Sequence, residues 1–349
     1  MPAPPSADSS AESTRILTMA RAGREAVIDE MRKDGSVFVI GEDVGKLGGI
    51  FGTAVGVQEE FGAWRAIDTP ISETGFIGIA CGAAMAGMRP LVELAYVDFF
   101  GVCFNQIYNF AAKTHYMSGG QYRMPLTMMI GVGGGYNNAA QHSQCVYGTF
   151  AHMPGIKVVV PSNAYDAKGL MHSCIRDDNL TLWMVHKATC GLGWLGTPLK
   201  TSMAAVPEEA YTVPFGEARI WREGTDVTLV GLGLTVHHCL QAADLLAAEG
   251  LSAEVIDLRT VVPLDRAAIF DSVAKTGRLV VADEDYLSFG ITGEIVASIT
   301  ERDPGVWRAP PRRVAYPDVP VPFSRPLEEF CLPDAAKVAA AARATLGRQ

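Results

Sequence analysis

Short apolar runs alternate along this chain with longer stretches that read as helices. Val37 to Ile40, Pro90 to Tyr96, Leu126 to Ile130, Lys157 to Val160 and Leu180 to Val185 are the apolar runs of a first block. Residues 14–33, 75–88, 101–116 and 164–176 are the helices expected between them. Strands that are apolar throughout and alternate with helices imply a parallel sheet covered on both faces. A second block repeats the alternation. Its strands are expected at Asp226 to Val230, Ala253 to Leu258 and Arg278 to Ala282, with helices over 236–249 and 265–273. Between the blocks, residues 188–215 are irregular and punctuated by proline and glycine, as a linker is. The pattern predicts an α/β protein of two doubly wound sheet domains, 15–187 and 216–349, behind a tail over 1–14. No internal repeat is visible.

Composition narrows the picture. At 349 residues, 48% hydrophobic and 19% charged, the chain can bury large cores. A net charge of −9 argues against a nucleic-acid or anionic-membrane partner. The seven cysteines are scattered, odd in number and without a C-x-x-C pair, which reads as reduced, mostly buried thiols. Residues 1–14 are rich in Pro, Ser and Ala and resemble a disordered tail rather than a signal peptide. The longest charge-free runs are full of Gly and polar residues, so no transmembrane helix is expected. A cytoplasmic location follows as the expectation.

Several chemistries lack support. G-x-S-x-G, H-E-x-x-H and G-x-x-x-x-G-K-[ST] are all missing. Gly131-Val-Gly-Gly-Gly135 follows a strand but leads into a polar loop. Gly231-Leu-Gly233 follows a strand, opens a helix and has Asp257 ending the next strand. Those are features of a dinucleotide fingerprint, yet Val236 replaces the third glycine. A tight β-to-α turn in a parallel sheet is the favoured explanation of the pair, and a nicotinamide dehydrogenase stays as a rival.

The most informative stretch is Asp68-Thr-Pro-Ile-Ser-Glu73 and the small-residue helix after it. Pro70 breaks structure, Ser72 can cap the helix, and Glu73 enters its first turn. Gly78, Gly82 and Ala86 share one face, where another helix backbone can come close. A lone carboxylate entering a tightly packed apolar element is costly to bury. It is either solvated or kept for chemistry.

Nine ordered runs now combine. They are Gly41-Glu-Asp-Val-Gly45, Asp68 to Glu73, Ala111-Ala-Lys113, Tyr116-Met-Ser-Gly-Gly120, Ala140-Gln-His-Ser-Gln144, Asp166-Ala-Lys-Gly-Leu170, Ile175-Arg-Asp177, Val255-Ile-Asp-Leu-Arg259 and Asp318-Val-Pro-Val-Pro322. By them the chain resembles the β-subunit of the thiamine-diphosphate-dependent first component of 2-oxo-acid and acetoin dehydrogenase complexes. The resemblance runs from about Leu17 to the C-terminus. It implies a pyrimidine-binding domain followed by a transketolase-type C-terminal domain.

The resemblance also implies roles. The glutamate matching Glu73 hydrogen-bonds N1′ of the cofactor's aminopyrimidine and favours its imino tautomer. Ile71 and Phe99 match cofactor-contacting positions, Phe99 as the ring that stacks on the aminopyrimidine. His142 matches the histidine that faces the reacting carbon. Leu126, Cys174, Asp177 and Asn179 match a potassium site of some members. Magnesium and the diphosphate are held in the family by a Gly-Asp-Gly motif that this sequence lacks. Half an active site is therefore implied, completed by an α-subunit in an α2β2 heterotetramer that serves a lipoyl acyltransferase core. A non-catalytic scaffold subunit is a second rival, opposed by the presence of both Glu73 and His142. Val97 to Ile107 and His186-Lys187 resemble acetoin-cleaving members more than pyruvate members. Asn105, Val185 and Cys190-Gly191 depart from the usual pattern, which leaves an unusual 2-oxo acid or diketone open.

Overall fold

The computed structural model describes residues 15–191 and 199–347. The expected tail over 1–14 and the middle of the linker lie outside the described residues.

A seven-stranded sheet forms the first unit. Its order is Thr260–Val262, Lys157–Val159, Thr181–His186, Thr127–Val132, Arg89–Leu94, Val37–Gly41 and Ala66–Asp68. All neighbours are parallel except the first pair. The chain begins this sheet at Val37–Gly41, steps to one side at Ala66–Asp68, and crosses to the other side at Arg89–Leu94. That crossing is a topological switch point, where open α/β sheets bind ligands outside the carboxyl ends of their strands. Helix Met19–Lys33 packs on helix Ala164–Arg176 on one face of the sheet. A Cβ on Gly23 would stand 3.3 Å from the Trp183 ring, so the small residue sets that close approach.

The second sheet runs Arg312–Tyr316, Leu279–Tyr286, Val227–Gly231, Ala253–Asp257 and Arg219–Arg222. Only its last strand is antiparallel. The two units share one apolar core, which runs from Ile40, Phe76 and Leu94 through Phe150 to Ile256, Val281 and Ile295. The strand Thr260–Val262 comes from the second unit yet pairs with the first sheet, so the units are stitched as well as packed.

Several expectations change in detail. The first helix starts at Met19, because the Thr18 hydroxyl accepts from Arg21 N. The preceding Ile16–Leu17 instead pairs with Ala204–Ala205 inside the linker. Residues 101–116 are not one helix. A 3₁₀ turn at Val97–Gly101, a π turn at Gln106–Ala111 and a short helix at Thr114–Met117 replace it. The Thr114 hydroxyl bonds back to the Phe110 carbonyl at 2.7 Å, which bends such segments. Ser72 does not cap its helix, since its hydroxyl donates to the Pro70 carbonyl. The cysteines are all free thiols, and all but Cys331 are buried.

Candidate active site

The expected site residues Glu73, Phe99 and His142, and the residues Glu42, Tyr96 and Lys187 that the structure adds, leave the carboxyl ends of the parallel strands. Glu42 follows Val37–Gly41, Glu73 follows Ala66–Asp68, and Tyr96 and Phe99 follow Arg89–Leu94. His142 follows Thr127–Val132, and Lys187 follows Thr181–His186. The sheet topology therefore brings together what the sequence spreads over more than a hundred positions.

Glu73 opens the helix Glu73–Met85 and is 9% exposed. Among the described residues its carboxylate has no hydrogen-bond partner. Its neighbour Thr74 donates to the Val102 carbonyl at 2.6 Å, tying this turn to the segment that carries Phe99. The Cys103 thiol, 3.7 Å from the Phe99 carbonyl, is pushed up to about 12 by burial and then by the charge of Glu73. Burial, and then the same charge, also raises Glu42. Glu73 is thus a nearly buried carboxyl whose charge adds to burial in raising its neighbours Glu42 and Cys103. Ile71 stands beside it 83% exposed.

Aromatic edges connect Phe99 to His142. Their ring centroids lie 5.2 Å apart, Tyr96 sits 4.7 Å from His142, and Phe51 packs behind Tyr96 at 6.0 Å. Asp98 fixes the chain after the histidine by accepting from Ser143 N at 3.3 Å and Gln144 Nε2 at 3.0 Å.

The loop before His142 is strained. Asn137 and Ala139 both hold φ of +57°, a left-handed conformation that non-glycine residues seldom keep without external support. Support comes from both units. Glu328 accepts from Gly135 N at 2.8 Å and Asn137 N at 3.0 Å. The Lys187 ammonium donates to Asn138 Oδ1 at 3.0 Å and to the His142 carbonyl. Glu328 was not legible in the sequence, since it lies far away in an ordinary-looking helix.

Cys145, His186 and Glu284 bring ligand-type atoms within 4.8 Å of one another. They do not fit a metal. His186 Nδ1 accepts from Ala188 N at 3.0 Å, which leaves the ring proton on Nε2, the atom facing Glu284. A metal-bound histidine has the opposite arrangement and donates from its other nitrogen. Burial would raise Glu284, but the His186 ring beside it holds the carboxyl below its ordinary value. The cluster is a buried His–Glu lock between the two units.

The residues expected around potassium do lie together. Asp177 accepts from Asn179 N at 2.9 Å, and its own amide donates to the Cys174 carbonyl at 3.2 Å. The Leu126 carbonyl accepts from Thr181 N at 2.9 Å. Yet Lys157 already pairs with the Asp177 carboxylate. The charge that a cation would neutralise is met by the chain itself, so potassium fits poorly.

Two departures from the usual pattern take different places in the fold. Val185 is buried in the apolar core, and Asn105 lies on the exposed side, paired with Asn109 at 3.0 Å. The nicotinamide rival fails on Asp257. That carboxylate is fully buried, accepts from Ser162 Oγ at 2.5 Å and Trp221 Nε1 at 3.3 Å, and cannot reach a ribose.

Comparison with known proteins agrees with this fold. Residues 16–191 match the family described as Transketolase, pyrimidine binding domain, and residues 216–338 match Transketolase, C-terminal domain. The fold and these two matches define a transketolase-type protein. Within that class, the chain belongs to the family of dehydrogenase β-subunits. It is 44% identical to the acetoin:2,6-dichlorophenolindophenol oxidoreductase subunit beta of Cupriavidus necator, covering 95% of this chain and 98% of that one. It is 41% identical to the 2-oxoisovalerate dehydrogenase subunit beta of Bacillus subtilis, with 94% and 98% covered. It is 40% identical to the pyruvate dehydrogenase E1 component subunit beta of the same organism, with 95% and 98% covered. A solved structure described as a split gene transketolase, inactive beta4 tetramer, superposes with a TM-score of 0.75 over 95% of this chain and 98% of that one. At 22% identity that likeness speaks to the fold alone. Among the described residues no helix is long and apolar enough to cross a membrane.

Proposed function

We propose that this chain is the β-subunit of a thiamine-diphosphate-dependent dehydrogenase that cleaves acetoin or a close 2-hydroxyketone, with pyruvate or a branched 2-oxo acid as the alternative substrate. The observation that carries the reading is the Glu73 carboxylate. It is nearly buried, lacks a protein partner among the described residues, and is tied through Thr74 to the segment that carries Phe99 against His142. That arrangement fits an aminopyrimidine: a carboxyl for a ring nitrogen and an aromatic edge beside it. The cofactor, when bound, supplies the electron sink for breaking the carbon–carbon bond. Glu73 holds and returns a proton at the pyrimidine nitrogen. His142 polarises the substrate oxygen or passes a proton toward the acceptor. Magnesium and the diphosphate fall to the α-partner, in an α2β2 assembly that delivers its product to a lipoyl acyltransferase. Potassium is not needed by this reading.

Acetoin is favoured over a 2-oxo acid because a carboxylate needs a cation or well-placed donors. Lys187, packed against the His142 loop, is already committed to two acceptors. The assembled complex should therefore show at least tenfold higher kcat/KM for acetoin than for pyruvate, about 1.4 kcal/mol of transition-state preference. A tenfold preference for pyruvate transfers the assignment to the 2-oxo-acid alternative.

His142→Ala should lower kcat about 100-fold, the low end for loss of a proton-transfer group. Cofactor affinity should stay within roughly threefold, since His142 meets Phe99 and Tyr96 by ring edges only. Collapse of cofactor binding with normal turnover at saturation would make the histidine structural.

A further inference from the structure

Lys187 is 1% exposed, and its side chain ends beneath the strained loop. Burying an ammonium is costly unless its donors are used, and here they are. One goes to Asn138 Oδ1 and another to the His142 carbonyl. Asn138 is the residue between the two left-handed positions, Asn137 and Ala139. The faces of Tyr96 and Tyr136 flank the ammonium at 5.7 Å each. Tyr96 also touches the His142 ring. The lysine thus holds the loop at its strained centre, holds the backbone of the histidine, and lies over a ring that contacts the imidazole. Asp98, Cys145, Glu284 and Glu328 face it from four surrounding segments. Burial lowers the ammonium to about 8, and the three carboxylates among these neighbours oppose that fall. The cation therefore persists at neutral pH.

We propose that Lys187 is the positioning residue for His142, acting by clamping the Asn137–Ala139 turn and the His142 carbonyl. The inference rests on the dehydrogenase reading above, and it makes His186-Lys187 a functional pair with divided duties. His186 locks the two units through Glu284, while Lys187 sets the loop.

The test is a double-mutant cycle on the complex co-expressed with its α-partner. Lys187→Met keeps the stem and removes the charge and donors. It should lower kcat roughly 10–100-fold, with substrate KM and cofactor affinity within about threefold. In the His142→Ala background the same change should lower kcat less than about twofold, because a residue that acts only through His142 has nothing left to position. Additive losses in the double variant, unchanged kcat in the single one, or a collapse of cofactor affinity would each overturn the proposal. If Lys187→Met does not assemble, Asn138→Ala removes one of the lysine's anchors from the half-buried loop. It should lower kcat roughly 3–10-fold in wild type and less than about twofold beside His142→Ala. Additive losses there overturn the proposal equally. A wild-type complex inactive on acetoin and on 2-oxo acids would fault the dehydrogenase reading itself, before any variant is compared.

Discussion

Glu73→Gln should leave the complex folded and assembled while lowering kcat about 10²–10⁴-fold, the range for losing a proton-transfer group. The substitution keeps the size and shape of the side chain. It removes no protein hydrogen bond among the described residues, so stability should change by no more than about 0.5 kcal/mol. What disappears is the ability to hold and return a proton. An amide oxygen still accepts a hydrogen bond, but its NH₂ cannot exchange a proton with a ring nitrogen. The electrostatic surroundings give a second readout. Glu42 is raised by burial and then by the charge of Glu73. Removing that charge should move Glu42 back toward its ordinary value, which carboxyl titration by NMR or infrared difference spectra can follow. A variant that keeps more than about a tenth of wild-type kcat lies outside the proton-transfer range and would refute the assignment.

The sequence made the sheet strands legible because parallel strands buried on both faces are apolar throughout. Thr127–Val132 and Thr181–His186 are buried at every position. Short, half-exposed elements carry no such signal. The edge strand Arg219–Arg222 is only two apolar residues between arginines, none of them buried, and was not legible. Nor was Thr260–Val262, whose partner strand lies a hundred residues earlier. Glu73, Phe99 and His142 could be named because their neighbours form recognisable runs. What holds them could not. Glu328 reaches the loop across 193 positions, and Glu284 meets His186 across the boundary between the units. Such partners are set by tertiary packing and leave no mark in local spacing. Cys174, Asp177 and Asn179 show the converse. Their proximity was legible, but Lys157, which takes up the charge of Asp177, stands seventeen positions before the first of them and looked like a strand residue.

The chain purified without its partner should turn over acetoin at less than about 1% of the rate of the assembled complex, a loss of at least about 2.7 kcal/mol in transition-state stabilisation. The resemblance implies that a Gly-Asp-Gly motif holds magnesium and diphosphate, and this sequence has none. Apolar side chains on and around the helix that Glu73 opens are exposed in the lone chain. Ile71, next to Glu73, is 83% exposed. Ile79, in the helix that Glu73 opens, is 62% exposed, and nothing lies within 4 Å of a Cβ built on Gly82. The π turn Gln106–Ala111 packs against this helix, and Tyr116 and Met117 just beyond it are exposed too. An α-partner seated on these exposed apolar residues would take them out of water. A stable partner typically covers about 800 Å² per side, enough to bury such a patch and to close the mouth beside Glu73. Adding the α-partner should therefore restore turnover in proportion to complex formed. Calorimetric titration with magnesium thiamine diphosphate should show tight binding only to the complex. Activity of the lone chain equal to that of the complex would mean that Glu73, Phe99 and His142 make a complete site without a second subunit, and the half-site reading would fall.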